Sequence, residues 1–540
     1  MIICIFLQNL LNLEKIDLTR SKKLIECPNV SGVPNLKHLI LEDCESMPEV
    51  DASIFHLQKL EELNVSGCTS LTSLSSNTCS PALRCLNALD CINLKEFAVT
   101  FSTVEGLYLG LSEWDGNEVP TSILLTKNLK SFDFPISDCL VDLPVNFSET
   151  IWLYSPLNHD QDPFITLDKI FCSSPGFLNL KNLCFYNIPT LFEIPDSIFL
   201  LSSLEILGLV GLSIRSLPET IECLTRLNNV EIVNCKLLQS VPGFTRNLVA
   251  IDCESLEKVL TSTDVQYDKP SLCFTFILNC KKLDPHSYQA VFKFAMHWVE
   301  YVAILNSEVR WNLLPVMPGM ENWFHYSSTQ VSFTLELPSN LLGFAYYLVL
   351  SQGRMGYGVV FGCECYLDNG SGERICITSF TRDAFKFSRI GLPNHLMSDH
   401  LLFWYDPISC KQIMDAVEQT KANSDVNNTS NNPKLTFRFF IDENQYDQVA
   451  VKECGFRWIY QDETDSSTIS ESHDEEETAS SSDFQSNDQE EIVPSNILNW
   501  MIKKKQSLQQ RIIAQKPRAV GLGLAFSKHL LNYAVKPRNR

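Results

Sequence analysis

Residues 13–44 read LEKIDLTRSKKLIECPNVSGVPNLKHLILEDC. Two words in it, LEKIDL and LKHLIL, share the pattern L-x-x-Φ-x-L with Φ apolar, separated by a run of mostly polar and turn-forming residues. A short strand alternates its faces, so both residues of Φ-x-L point one way and the residue between them points the other. Written once, such a strand buries too little to be stable. Written repeatedly, it stacks into a continuous core and a continuous parallel sheet.

The word does recur. Starts fall at Leu13, Leu36, Leu60, Leu83, Val104, Leu129, Leu180, Leu204, Leu227 and Leu248, in steps of 23, 24, 23, 21, 25, 51, 24, 23 and 21 residues. The 51-residue step is about two periods, which predicts a degenerate repeat near 147–156, around IWLYSPL. The period is that of a leucine-rich repeat. Cys44, Cys68, Cys91 and Cys235 each follow a word after two intervening residues. Set one rung apart they stand in a row rather than converge on an ion, so they are expected to be buried structural thiols and not metal ligands.

Past Leu260 the rhythm stops, and TSTDVQYDKP marks a boundary. A strand and then a helix from about Pro285 follow. From 311 to 460 the pattern is short apolar or alternating runs split by turns, including QVSFTLELP, LLGFAYYLVL and KLTFRFFID, which suggests a β-sandwich or barrel. Residues 462–491 hold twelve acidic residues and no Lys or Arg, too few apolar groups to offset chain entropy, and are expected to be a disordered linker. Residues 492–540 form a basic tail, with KKK at 503–505.

The formal net charge of −21 argues against general nucleic-acid binding. The twenty cysteines are scattered singly, as in a reducing compartment. The first residues, MIICIFLQNL, are too briefly apolar for a signal peptide, and no run reaches the roughly 18 apolar residues of a membrane span. An intracellular soluble protein is expected, cytoplasmic, with the nucleus as a second compartment.

Several segments resemble one family. LEKIDLTRSKKLIECPNVSGVPNLKHLILEDC is similar to the repeats of plant intracellular disease-resistance receptors of the Toll/interleukin-receptor (TIR) class. LVAIDCESLEKV (248–259) resembles their last rung, and FILNCKKLD (276–284) the start of their post-repeat domain. SDHLLFWYD resembles that domain's DH-x-W strand, and VKECGFRWIY its closing V-K-x-C-G strand. Met320 and Asn322 depart from the usual wording of the domain's PG…P-x-W-F segment. The resemblance covers about 10–461. It implies an α/β leucine-rich-repeat solenoid at 1–260 (about 11 repeats), a linker and connecting helix at 261–310, and an all-β jelly-roll/Ig-like sandwich domain at 311–461. In that family a TIR domain and a nucleotide-binding ATPase module precede the repeats. Neither is expected within this chain, which contains no GxxxxGK[ST].

No active site is evident. Cys363 and Cys365 on one strand face read as packing rather than half a metal site, and Trp311 and Trp323 read as core. Asp399 and His400 lack a nucleophile in a suitable context and read as structural hydrogen-bonding groups. No catalytic residue, metal or cofactor is expected. What remains is the concave side of the rungs, where the residues before and within Φ-x-L line up: Lys15 and Asp17, His38 and Ile40, Glu62 and Asn64, Cys85 and Asn87, Gly106 and Tyr108, Ser131 and Asp133, Asn182 and Cys184, Asn229 and Glu231. Of these, Lys15, Asp17, His38, Ile40, Glu62, Asn64, Tyr108, Asp133, Asn182 and Glu231 are the candidate partner-binding residues, with Tyr108 as anchor.

The expected function is non-catalytic protein recognition. By resemblance the ligand is a pathogen effector or a guarded host protein, with a full-length receptor as a second partner. The alternatives are a fragment of a receptor whose NAD hydrolase and ATP switch are encoded upstream, and an extracellular repeat receptor. The latter would carry LxGxIP in its rungs, which this chain does not.

Overall fold

The computed structural model describes residues 10–76, 81–99, 103–109, 119, 121–124, 129–144, 147–155, 162–244, 247–261, 274–305, 310–354, 360–368, 374–383, 395–423, 433–442 and 449–460. All belong to the first of two compact units, Met1–Ser467. The expected acidic linker (462–491), the basic tail (492–540) and most of the expected 261–270 connection lie outside the described residues.

Each sequence word folds as one short parallel strand. These are β1 (Lys15–Asp17), β2 (His38–Ile40), β3 (Glu62–Asn64), β4 (Cys85–Ala88), β5 (Gly106–Leu109), β6 (Ser131–Pro135), β7 (Thr150–Tyr154), β8 (Asn182–Tyr186), β9 (Ile206–Val210), β10 (Asn229–Val233) and β11 (Asn247–Ile251). The 51-residue step holds β7, paired in parallel with β6 and β8, followed by helix α1 (Pro163–Ser173). Asp162 caps that helix and Pro163 opens it.

The central residue of every strand stacks on its neighbours: Leu39 on Leu63, Leu63 on Leu86, Leu86 on Leu107, and so on to Leu248. Leu39, Leu63, Leu86 and Leu107 are fully buried, each worth about 2–3 kcal/mol relative to an exposed side chain. This column is the solenoid core.

The chain leaves many rungs through a left-handed residue. Asp43, Asp90, Asn234, Asp252 and Asn279 have φ between 54° and 59°, a region that Asp and Asn enter more readily than other side chains. A cysteine follows each. Its thiol donates to a carbonyl of the preceding rung: Cys44 to Leu18 at 3.4 Å, Cys91 to Val65 at 3.2 Å, Cys235 to Leu209 at 3.5 Å. Burial pushes Cys68, Cys91 and Cys235 up to about 12, so these thiols stay protonated donors.

The parallel stack runs on past residue 260. Strand β12 (Thr275–Leu278) pairs with β11, and β13 (Arg310–Pro315) pairs with β12. Helix α2 (Pro285–Leu305) bridges these two strands and is capped by Asp284, which accepts from the backbone of His286 and Ser287 at 3.0 Å. Chain direction then reverses. Strand β13 pairs antiparallel with the strand His400–Tyr405, which pairs with Leu341–Leu350, then Val451–Tyr460, then Tyr326–Ser328. Repeats and C-terminal strands therefore share one 17-stranded sheet. The strands on either side of 262–273 are bonded in register, so the hydrogen-bond ladder sets their relative position.

A second, four-stranded antiparallel sheet (Ser332–Glu336, Lys434–Asp442, Val360–Asp368, Arg374–Asp383) faces the C-terminal end of the first. Aromatic rings fill the gap. Phe456 packs edge-on against Phe437 at 4.6 Å and Phe344 at 5.3 Å, and Trp404 stacks on Trp311 at 4.9 Å and Tyr346 at 5.2 Å. Among the described residues no helix is long and apolar enough to cross a membrane.

Candidate functional site

Strand register converts the sequence positions into two columns on the concave face. One runs Lys15, His38, Glu62, Cys85, Gly106, Ser131, Thr150, Asn182. The other runs Asp17, Ile40, Asn64, Asn87, Tyr108, Asp133, Trp152, Cys184. Farther along, Asn229 and Glu231 continue the two columns.

Much of the acidity of this face is matched by donors. Asp17 meets Lys15 at 3.1 Å and accepts from the Thr19 hydroxyl at 2.7 Å; hydrogen bonds from Thr19 and then Lys15 hold its carboxyl below the usual range. Glu62 lies 3.0 Å from His38, one rung away. Asn64 accepts from Ser66, and Ile40 is buried. Glu231 is 1% exposed and accepts from Asn229 at 2.8 Å, so it is a buried polar group rather than an open contact. Asn182 donates to Thr150 at 2.8 Å.

Asp133 is different. Its Oδ1 is enclosed and meets no donor among the described residues, and burial pushes its carboxyl up to about 8. It lines a concavity of about 760 Å³ with Asn87, Asp90, Tyr108, Trp152, Tyr154 and Tyr186. Tyr108 lies down over Gly106, where a Cβ would sit 3.1 Å from its hydroxyl. Its neighbours there include Ser131, which hydrogen-bonds to the phenol. The Tyr154 hydroxyl donates to the Leu109 carbonyl, tying β7 back to β5. Tyr186 is 54% exposed and forms the outer wall. Trp152, Tyr154 and Tyr186 are absent from the sequence-based candidates. The first two sit on the degenerate rung, whose position the spacing indicated and whose side chains it left unread.

The C-terminal part can be placed among known proteins. Residues 319–465 match the C-JID domain model. The chain is homologous to Arabidopsis disease-resistance proteins across its repeats and C-terminal region. Disease resistance protein RML1B of Arabidopsis thaliana is 28% identical over 287 residues, 53% of this chain and 22% of that protein. Disease resistance-like protein DSC1 is 25% identical over 533 residues, covering 84% and 42% respectively, and disease resistance protein RPP4 is 33% identical over 248 residues, covering 46% and 18%, both from the same plant. The chain thus spans less than half the length of these relatives.

In the C-JID domain the family-like words are structural. Asp399 accepts from Lys452 at 2.7 Å and from the Gln352 backbone at 3.1 Å, joining the DH and VK segments. His400 turns away from it. Its Nε2 accepts the Asn279 N–H at 3.3 Å and its Nδ1 faces the Ser398 carbonyl at 2.8 Å, so the tautomer protonated on Nδ1 satisfies both. Burial pushes His400 down to about 4. At Gly455 a Cβ would lie 2.0 Å from the Tyr326 carbonyl, so only glycine lets these two strands meet.

Cys363 and Cys365 are buried within the sheet-to-sheet core, and among the described residues no group of three or more His, Cys, Asp or Glu could hold a metal ion. Trp311 is core, while Trp323 packs edge-on against Phe292 at 5.3 Å and under Arg457 at 5.6 Å.

The word FILNC also finds a purpose. Asn279, just past β12, makes three side-chain bonds, one to the preceding rung and two to the C-JID domain. It donates to Asp252 at 2.7 Å and to the His395 carbonyl at 2.8 Å, and accepts from Met397 N–H at 2.8 Å.

Proposed function

We propose that this chain is the ligand-recognition part of a plant disease-resistance receptor, binding a pathogen effector or a guarded host protein without catalysing a reaction. A defence-related receptor role follows from the disease-resistance homologues. The finer reading rests chiefly on one observation: a concave, aromatic-lined surface around Tyr108 and Asp133 on the stacked rungs. In this reading residues 1–260 are the solenoid, 261–310 the connecting segment, and 311–461 a jelly-roll/Ig-like domain whose loops add specificity. One ligand bridges the concave rungs and that domain, and the chain acts in the cytoplasm. Within a longer receptor, NAD hydrolysis and an ATP-driven switch would belong to other segments.

The test is binding of purified, secreted pathogen proteins to the full chain by surface plasmon resonance. A cognate ligand should lose about tenfold or more in affinity with Tyr108→Ala plus Trp152→Ala, and again with Ile375→Glu plus Met397→Glu on the C-JID domain. A ligand indifferent to the concave pair would remove the rungs from the reading. One indifferent to the second pair would remove the bridge.

A further inference from the structure

We propose that the concavity around Asp133 receives one basic side chain, a lysine or arginine, from the protein that docks on the concave face. The proposal rests on the recognition reading above and names the chemistry of a single contact within it.

Three observations converge. The first is the orphan oxygen: Asp133 Oδ1 is enclosed and meets no donor among the described residues. A buried acceptor without a partner is costly, and native structures rarely keep one without a use. The other three acids of the expected binding face have donors in Lys15, His38 and Asn229, so among these four carboxylates the orphan is Asp133.

The second is the wall. Tyr108 and Trp152 are the register partners of Asp133 on the strands at either side, one strand spacing away. Aromatic faces flanking a carboxylate suit a cation on an apolar stem, because the ring quadrupole and the carboxylate attract the same charge while the stem packs on the rings.

The third is charge balance. The described lining includes two acids, Asp90 and Asp133, and no lysine or arginine. A carboxylate or phosphate would be repelled, and a neutral amide would satisfy the orphan oxygen while leaving the acidic wall uncompensated. A guanidinium or ammonium answers both needs, and its charge favours the ionised form of a carboxyl that burial alone raises to about 8. At about 760 Å³ the concavity also has room for part of the peptide that bears the side chain.

The test uses the full chain labelled with 5-fluorotryptophan and read by fluorine NMR, the Trp152 line being assigned by its loss in Trp152→Phe. The probes are the N-acetyl methylamides of arginine and lysine, with citrulline and norleucine as neutral isosteres. The cationic probes should shift the Trp152 line and saturate, and the neutral ones should bind at least about tenfold more weakly. Titrations run at about pH 9, above the raised Asp133 value of about 8 and below that of a lysine, so the carboxylate is ionised; Asp133→Asn keeps the shape and removes that charge. It should weaken the cationic probes about tenfold, with the lines of the remaining tryptophans, eight in all in the sequence, reporting an unchanged fold. Equal binding of arginine and citrulline probes, an unaffected Asp133→Asn, or no shift of the Trp152 line would each overturn the proposal. Small probes need no protein partner. Failure here beside a partner that does depend on Tyr108 and Trp152 would leave the recognition reading standing, and success here without any partner would leave the subsite alone.

Discussion

Truncating Asn279 to alanine removes three side-chain hydrogen bonds in one step, to Asp252, to the His395 carbonyl and from Met397 N–H. The residue is 5% exposed, so water replaces few of them. At about 1 kcal/mol net per bond the loss is roughly 2–3 kcal/mol. Alanine must also hold the left-handed backbone of this position, φ 59°, which adds about 1 kcal/mol. Asn279→Ala should therefore cost about 3–4 kcal/mol. Asn279→Gly loses the same bonds without the backbone penalty and should be milder by about 1 kcal/mol. Urea unfolding is the assay, followed both by tryptophan fluorescence, weighted toward the C-JID domain by Trp323, Trp404 and Trp458, and by far-ultraviolet circular dichroism, which reports the whole array. Coincident transitions in the parent should separate in Asn279→Ala, because the joint between repeats and domain is what the change weakens. A cost under about 1 kcal/mol, or a glycine variant worse than alanine, would refute the reasoning.

Other outcomes follow from the same structure. Leu63→Asp places an unpaired carboxylate in the fully buried stack between Leu39 and Leu86 and should cost on the order of 3–5 kcal/mol in the same titration. Gly455→Ala drives a methyl group into the Tyr326 carbonyl and the Tyr347 ring, and should cost about 3 kcal/mol or yield insoluble protein. His400 is held near 4 in the fold against 6.5 when unfolded, so the unfolded chain takes up the proton first as pH falls. Stability should be unaffected by this group above about 6.5 and should decline by about 3 kcal/mol in total as pH falls to about 4. Stability measured across that range should lose this slope in His400→Gln.

Much of the architecture was legible because repeats spell themselves. Leu39, Leu63 and Leu86 recur at the period of a rung, and the double-length step leaves room for β7. Cys44, Cys91 and Cys235 were legible as buried thiols from their place after the strand, although their use as donors to the previous rung depends on the left-handed residue before them. Two kinds of feature were not legible. The last rung, Thr275–Leu278, lacks the leucine word: Thr275 stands in register with Leu248 and Asn312, where the earlier rungs set one apolar residue on another, and Phe276 stands in register with Leu313. The charge state of the concave face was hidden as well. Whether Asp17, Glu62 or Glu231 is compensated depends on side chains at neighbouring columns and rungs, and Asp133 stands out only once those donors are placed.

The shared sheet also makes the repeats a ruler. Between the strand that bears Trp152 and β13, where the sheet turns antiparallel, lie six strand spacings, roughly 29 Å along the arc. Because every step is a hydrogen-bonded ladder, inserting or deleting one rung moves the domain by about 4.8 Å and turns it by one increment of sheet twist, leaving both surfaces chemically unchanged. Unequal recombination within such a gene would then alter what shape of ligand can span the two surfaces without a single substitution in either. The gap would change in quantised steps, each the width of one strand.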